Sequence, residues 1–316
     1  MTEPAPPTGR LAPSPTGLLH LGHARSFLLA WWQVRAAGGR CLLRLEDLDR
    51  SRVRPGMAQA CLRDLEWLGL DWDGPVVVQS EGLAHLRGAL DALLAAGALY
   101  PCVCTRREIR EAASAPHDEG GAAPYPGTCR DRFASLDQAR AHSGGRAALR
   151  LRVAPGPVPF TDGVLGPQAM DVAAEVGDFP VAGPDGLVAY QLAVVVDDAR
   201  SGIDTVLRAD DLLGSTARQL LLQRALGLPS PRWFHVPLVC GPDGARLAKR
   251  ADDLSLAALR AGGVDPREVV AWAARSAGLP CPEPLAAAEL IGVFDLSALP
   301  AGPVSIDPAA WDRSPA

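Results

Sequence analysis

Lysine is almost absent from this chain of 316 residues: Lys249 stands alone against 30 arginines. The net charge of −5 excludes a generally basic protein that coats nucleic acid, though not one with a local basic face. No apolar run reaches the ~18 residues of a membrane span, and residues 1–8 are Pro-rich without the hydrophobic stretch of a leader peptide. Seven cysteines, an odd number in a chain this long, do not suit a disulfide framework. With Cys102 and Cys104 one residue apart, they point to a reducing compartment and a metal. A cytoplasmic protein with no membrane contact is therefore expected. What remains is 48% hydrophobic and 21% charged, enough for a sizeable core and roughly two domains.

Strand and helix alternate over the first hundred residues. Residues 11–17 read as a strand end and a Pro/Ser/Gly turn, followed by a helix over 21–37 with Phe27, Leu28, Trp31 and Trp32 at helical spacing. Gly38 and Gly39 stop it before an apolar strand at 41–45. A helix at 55–68, a strand at 76–79 and a helix at 84–96 complete a pattern that predicts a parallel α/β sheet. At Pro101 the pattern breaks. Residues 102–181 are rich in Gly, Pro and Arg, with strand candidates at 148–153 and 160–162, as in an inserted module. A strongly apolar strand is expected at 187–196, an amphipathic helix at 212–226 and a strand at 236–240. Helices at 255–261 and 266–277 precede a Pro-rich tail of poor periodicity.

Three clusters carry chemistry. In Arg10-Leu11-Ala12-Pro13-Ser14-Pro15-Thr16-Gly17-Leu18-Leu19-His20-Leu21-Gly22-His23, two histidines three apart open a helix after a small-residue turn. Imidazoles and free backbone N–H groups together suit a phosphate; metal ligation or simple packing fits the spacing too. Gly244-Ala245-Arg246-Leu247-Ala248-Lys249-Arg250 is a glycine-flanked basic loop containing the sole lysine. Three cations in five residues suit a triphosphate, and a compact ammonium serves a moving phosphate better than a planar guanidinium. A solvated charge run with one surviving lysine is the alternative. Cys102, Cys104 and Cys129 make a zinc site if a fourth ligand exists. His117 and Tyr125 compete for that place, with His117 ahead on general ligand chemistry. Cys41, Cys61, Cys240 and Cys281 sit in apolar or isolated contexts and read as packed residues.

Taken together, the first two clusters resemble the signatures of class I aminoacyl-tRNA synthetases of the glutamyl/glutaminyl group. Arg246-Leu247-Ala248-Lys249-Arg250 is similar to the second signature loop, and Arg44-Leu45-Glu46-Asp47-Leu48-Asp49 to the glutamyl subgroup's Arg-Ile-Glu-Asp-Thr-Asp. The similarity covers about residues 8–260. It implies a Rossmann-type parallel sheet with an inserted zinc-bearing module and a C-terminal helical segment. The nucleotide-binding domain would occupy 1–100 and 186–250, the zinc and acceptor-contact module 101–185, and the helical segment with its tail 251–316.

The resemblance also implies a site. Arg10, Ala12, Ser14, Glu46, Tyr190 and Arg208 fall where the family binds glutamate. Chemically, Arg10 and Arg208 suit the side-chain carboxylate, and Glu46 and Tyr190 the ammonium. His20, His23, Lys249 and Arg246 would bind ATP and stabilise the phosphates as the α-carboxylate attacks, with Mg²⁺ as counter-ion. Cys-x-Cys…Tyr-x-x-x-Cys is similar to the zinc pattern of the group's short members, which makes Tyr125 the fourth ligand. About 66 residues follow Arg250, with four arginines against nine acidic groups, so no basic anticodon-reading domain is expected there. The implied acceptor is then queuosine in the anticodon of tRNA(Asp), as in those short members, by an enzyme expected to be monomeric. A compact enzyme charging the 3′ end of tRNA(Glu) is the alternative. Arg130, Arg132, Arg146, Arg150 and Arg152 of the insertion would contact RNA phosphates or form a solvated face. Two departures stand out: Arg246 replaces the loop's usual first lysine, and Ala248 its serine. The lost hydroxyl is worth about 0.5–1.5 kcal/mol.

Overall fold

The computed structural model describes residues 5–105, 107–109, 124–244 and 254–311. Strand β1 (Thr8–Leu11) leads into helix α1 (Leu21–Ala36) and returns as β2 (Arg40–Leu45), parallel to β1 with Arg10 opposite Leu42. Helix α2 (Met57–Trp67) then crosses to β3 (Val77–Val78) on the far side of β2. The apolar face of α1, including Leu28, Leu29, Trp31 and Trp32, is buried. Gly9 lets this helix lie close on β1, because a Cβ there would fall 2.5 Å from Val34 Cγ2.

Helix α3 (Leu83–Ala95) runs to β4 (Leu99–Cys102), followed by α4 (Leu136–His142) and β5 (Ala148–Leu151). A hairpin of β6 (Val158–Asp162) and β7 (Gly166–Met170) comes next, then α5 (Val172–Glu175) and β8 (Pro180–Ala182). β4, β5 and β8 form a small antiparallel sheet. Helix α6 (Tyr190–Arg200), β9 (Thr205–Ala209), α7 (Leu213–Leu226) and β10 (Arg232–Val236) resume the parallel pattern. The hairpin joins β10 through β6, in the order β7-β6-β10-β9, so the α/β sheets are mixed and not purely parallel. β9 lies beside β1: the Asp204 N–H donates to the Thr8 carbonyl, and the Thr8 N–H donates to the Asp204 carboxylate at 3.1 Å.

Beyond β10, a two-residue β11 (Val239–Cys240) precedes α8 (Leu256–Ala261) and α9 (Pro266–Ser276). The single strand expected at 236–240 is therefore two, interrupted at Pro237. The tail is packed rather than loose. Ala287 and Leu290 are buried in the main core, Trp32 Nε1–H donates to the Ala287 carbonyl at 2.8 Å, and β12 (Val304–Ser305) pairs with β11.

One expected element changes type. Residues 187–196 were expected as a strand, yet from Tyr190 onward they form α6. Leu192 to Val196 are buried, between α3 and α7. A helix buried all round shows no polar stripe, so its apolar run matches a buried strand.

Candidate active site

Strands β1, β2 and β9 point their carboxyl ends to one place, where parallel sheets of this kind bind ligands. A cavity of about 390 Å³ opens there, and Arg10, Ala12, Ser14, His20, His23, Glu46, Tyr190 and Arg208 all line it. Eight residues chosen from the sequence thus converge from five segments. Arg246 and Lys249 lie outside the described residues. The segments flanking them reach this site: Val239 lines the cavity, and the Leu21 N–H donates to the Leu254 carbonyl at the start of α1.

The floor of the cavity is an ionic cluster. Asp198, from the end of α6, accepts from Arg44 Nη1 at 2.6 Å and from Arg10 Nε at 3.4 Å, while Arg44 Nη2 donates to Glu46 Oε1 at 3.0 Å. Burial by itself would raise the Asp198 carboxyl, but the Arg44 and Arg10 charges hold it below the usual range. Burial works against Arg44 too, and Asp198 and Glu46 raise its guanidinium instead. Tyr190, 38% exposed, opens α6 in the cavity wall, where partial loss of solvent and then Glu46 push its phenol up, leaving it a neutral hydroxyl.

Arg208 is held differently. Its Nη1 donates to Gln219 Oε1 (3.0 Å), its Nη2 to Thr216 Oγ1 (2.9 Å) and the Leu212 carbonyl (3.2 Å), and its Nε to His235 Nε2 (3.1 Å). The Trp233 ring covers it at 4.9 Å. His235 is fully buried and lies 2.6 Å from Asp162 through Nδ1. Burial would raise Asp162, yet hydrogen bonds from His235 and from backbone N–H groups of Leu165 and Val164 keep it low; burial lowers His235. The pair is thus a carboxylate and a neutral imidazole. Asp162 takes the Nδ1 hydrogen and leaves Nε2 to accept from Arg208. Arg44, Asp162, Asp198, Gln219 and His235 were missed as site residues. Only Arg44 carried a signal, inside the Arg44-Leu45-Glu46 motif itself.

His20 and His23 close the start of α1. The Gly22 N–H donates to His20 Nδ1 at 3.1 Å, and the His20 N–H donates to His23 Nδ1 at 3.2 Å. Gly22 permits this, since a Cβ would sit 3.0 Å from His20 Cε1. Enclosure by the cavity lowers His20 to about 4; enclosure and then the neighbouring His20 lower His23 as well, although that residue keeps solvent exposure. Both rings are neutral near pH 7, with the hydrogen on Nε2. What they offer an anion is a pair of N–H dipoles at a helix N-terminus, not two positive charges.

A second constellation sits at the end of β4. The Cys102, Cys104 and Cys129 sulfurs lie within 4.8 Å of one another, with Cys104 and Cys129 at 3.4 Å. Tyr125 Oη is 3.4 Å from Cys102 Sγ and 3.8 Å from Cys104 Sγ, and it accepts the Cys129 N–H at 2.9 Å. A tetrahedral ion with bonds of about 2.3 Å to sulfur spaces its thiolates just under ~4 Å apart, so three sulfurs and this oxygen fit one metal. Arg150 stacks on the Tyr125 ring at 3.8 Å and donates to the Asp178 carbonyl. Arg150 is therefore packed beneath the cluster, which corrects its expected place on an RNA-facing surface. Arg130 binds Asp178, Arg152 binds Asp131, and Arg146 is exposed. His117 lies outside the described residues. Cys41, Cys61, Cys240 and Cys281 are all buried, as expected.

Comparison with known proteins agrees with this geometry. Residues 8–297 match the model of the class I tRNA synthetases (E and Q), catalytic domain. The chain belongs to this family. Among curated relatives, the glutamyl-Q tRNA(Asp) synthetase of Symbiobacterium thermophilum is 50% identical over 94% of this chain and 95% of its own length. The protein of the same name from Nitratidesulfovibrio vulgaris is 45% identical over 96% of this chain and 97% of its own length. The class I synthetase fold also appears in the crystal structure of a glutamate tRNA ligase from Elizabethkingia meningosepticum, in complex with its amino acid. That structure superposes with a TM-score of 0.83 at 24% identity, over 97% of this chain and 68% of that one.

Proposed function

We propose that this ligase activates glutamate with ATP and transfers it to queuosine in the anticodon of tRNA(Asp). The reading is carried by the convergence of Arg10, Glu46, Tyr190 and Arg208 in one cavity beside His20 and His23, in a chain whose relatives bear the name glutamyl-Q tRNA(Asp) synthetase. Arg208 and Arg10 take the side-chain carboxylate of glutamate, and Glu46 with the Tyr190 hydroxyl takes its ammonium. Ala12 and Ser14 shape the wall of the same cavity. The α-carboxylate oxygen then attacks the α-phosphorus of ATP, which arrives with Mg²⁺, and the bond to the β-phosphate oxygen breaks. His20 and His23 donate Nε2–H to the phosphate oxygens as charge moves onto pyrophosphate, and Lys249 and Arg246 add positive charge from the signature loop. In the second step a queuosine hydroxyl forms the ester at the activated carbonyl, and AMP leaves.

Zinc suits the donor set of Cys102, Cys104, Cys129 and Tyr125, where it would brace the 101–185 module that approaches RNA. The 1–100 and 186–250 stretches form the catalytic domain and 251–316 its helical support, in a cytoplasmic monomer. The test is glutamate-dependent pyrophosphate exchange without tRNA, then charging of tRNA(Asp) with and without queuosine. Exchange followed by transfer only to queuosine-bearing tRNA(Asp) is expected. Charging of the 3′ end of tRNA(Glu) would overturn the acceptor.

A further inference from the structure

Every hydrogen-bond acceptor around Arg208 is uncharged: the Gln219 amide, the Thr216 hydroxyl, the Leu212 carbonyl and His235 Nε2. Glu46 and Asp198 attract it across the cavity, Tyr190 borders it and Arg10 repels it, but among the described residues no carboxylate stands within ion-pair distance. The other two arginines of the cluster are neutralised, Arg10 and Arg44 by Asp198 and Arg44 also by Glu46. A guanidinium this buried (6% exposed) and left without a counter-charge is costly, and a ligand carboxylate relieves that cost where a carboxamide does not.

We propose that the uncharged cradle of Gln219, Thr216 and His235 is the device by which the cavity selects a carboxylate side chain over a carboxamide. It holds Arg208 by uncharged contacts, hydrogen bonds beneath the Trp233 ring, and keeps its charge for the ligand. His235 acts here as a positioning residue. Its other nitrogen is fixed by Asp162 at 2.6 Å, so that an acceptor and never an N–H faces Arg208 Nε. The inference rests on the reading that Arg208 receives the glutamate side chain.

The test compares Gln219→Glu, which sets a carboxylate against Arg208, with Gln219→Met, which removes the same hydrogen bond and adds no charge. Calorimetry measures glutamate and glutamine binding without tRNA, and pyrophosphate exchange gives KM for glutamate and for ATP. In Gln219→Glu, glutamate affinity is expected to fall at least about tenfold and the glutamate-over-glutamine ratio to shrink by a similar factor. KM for ATP stays within about twofold of wild type, and Gln219→Met keeps the ratio to within about threefold. Thr216→Asp against Thr216→Val repeats the comparison from the other side of the guanidinium, should Gln219→Glu not fold. Equal loss of the ratio in the charged and uncharged variants, with wild type binding glutamate, overturns the cradle alone. Wild-type protein that binds neither amino acid overturns the functional reading and the cradle with it.

Discussion

The rings of His20 and His23 lie 3.8 Å apart, and each accepts a backbone N–H of the same helix start through Nδ1. One arrangement therefore caps α1 through Nδ1 and leaves Nε2–H out of the cap, on two residues that line the cavity. Replacing His20 by Asn keeps a capping acceptor but removes one of the donors proposed for the phosphates. Adenylate formation should fall about 100-fold in kcat, with little loss of thermal stability. Pyrophosphate exchange and a melting curve separate the two effects.

The same histidines set a pH window. The folded value of His20, about 4, lies below the ordinary 6.5, and that of the more exposed His23 is lowered too. Between these limits the unfolded chain binds protons that the folded protein refuses. Stability should thus fall as pH drops from 6.5 toward 4. Urea unfolding at stepped pH checks this, and in His20→Asn the slope should be shallower. A steeper slope in the variant would refute the assignment.

Asp198 is buried between two arginines, so removing its charge strands Arg10 and leaves Arg44 with Glu46 alone. Asp198→Asn should cost about 3–5 kcal/mol of unfolding free energy, read from urea midpoints at constant m-value. Its carboxyl is held below the unfolded range. The stabilisation is therefore present above the unfolded value near 3.8 and fades as pH falls through the lower folded one. At pH 7 the full loss should appear.

What the sequence revealed was local, and what it concealed was distant. Gly, Pro and helical spacing punctuate β1, α1 and β2 closely enough to place His20, His23, Arg10 and Glu46 at strand and helix ends. Other contacts of the site come from far along the chain: Asp198 reaches Arg10 across 188 residues, and Asp162 reaches His235 across 73. Neither acid carries a motif, and Asp198 lay next to a segment whose evenly apolar run reads equally as strand or helix. Arg150 shows the converse error. In a stretch dense with arginine its charge suggested RNA, whereas its place on β5 turns it inward onto Tyr125.

Lys249 provides a test drawn from composition alone. In a chain that uses arginine 30 times, its sole lysine falls in the loop that resembles the family's second signature. A compact ammonium follows a phosphate through reaction more readily than a planar fork. Lys249→Arg is expected to lower the rate of pyrophosphate exchange far more than Arg246→Lys. Equal rates in the two variants would remove the special role of the lysine.

Tyr125 is the proposed fourth ligand of the metal that the three cysteines could hold. Its hydroxyl meets Cys102 and Cys104 sulfurs and anchors the Cys129 N–H, while its ring lies under Arg150. Tyr125→Phe keeps the ring and its stacking but removes the oxygen donor. Zinc content measured by release to a chromogenic chelator should fall, with dissociation at least about tenfold faster. Cys129→Ser should lose the metal altogether, since the thiolate is the preferred ligand. The cluster packs with Tyr100 and Phe133, apart from the cavity core. Glutamate activation without tRNA should therefore survive metal removal better than transfer to tRNA does. A Tyr125→Phe protein that holds zinc as firmly as wild type would show that the fourth ligand is not this phenol.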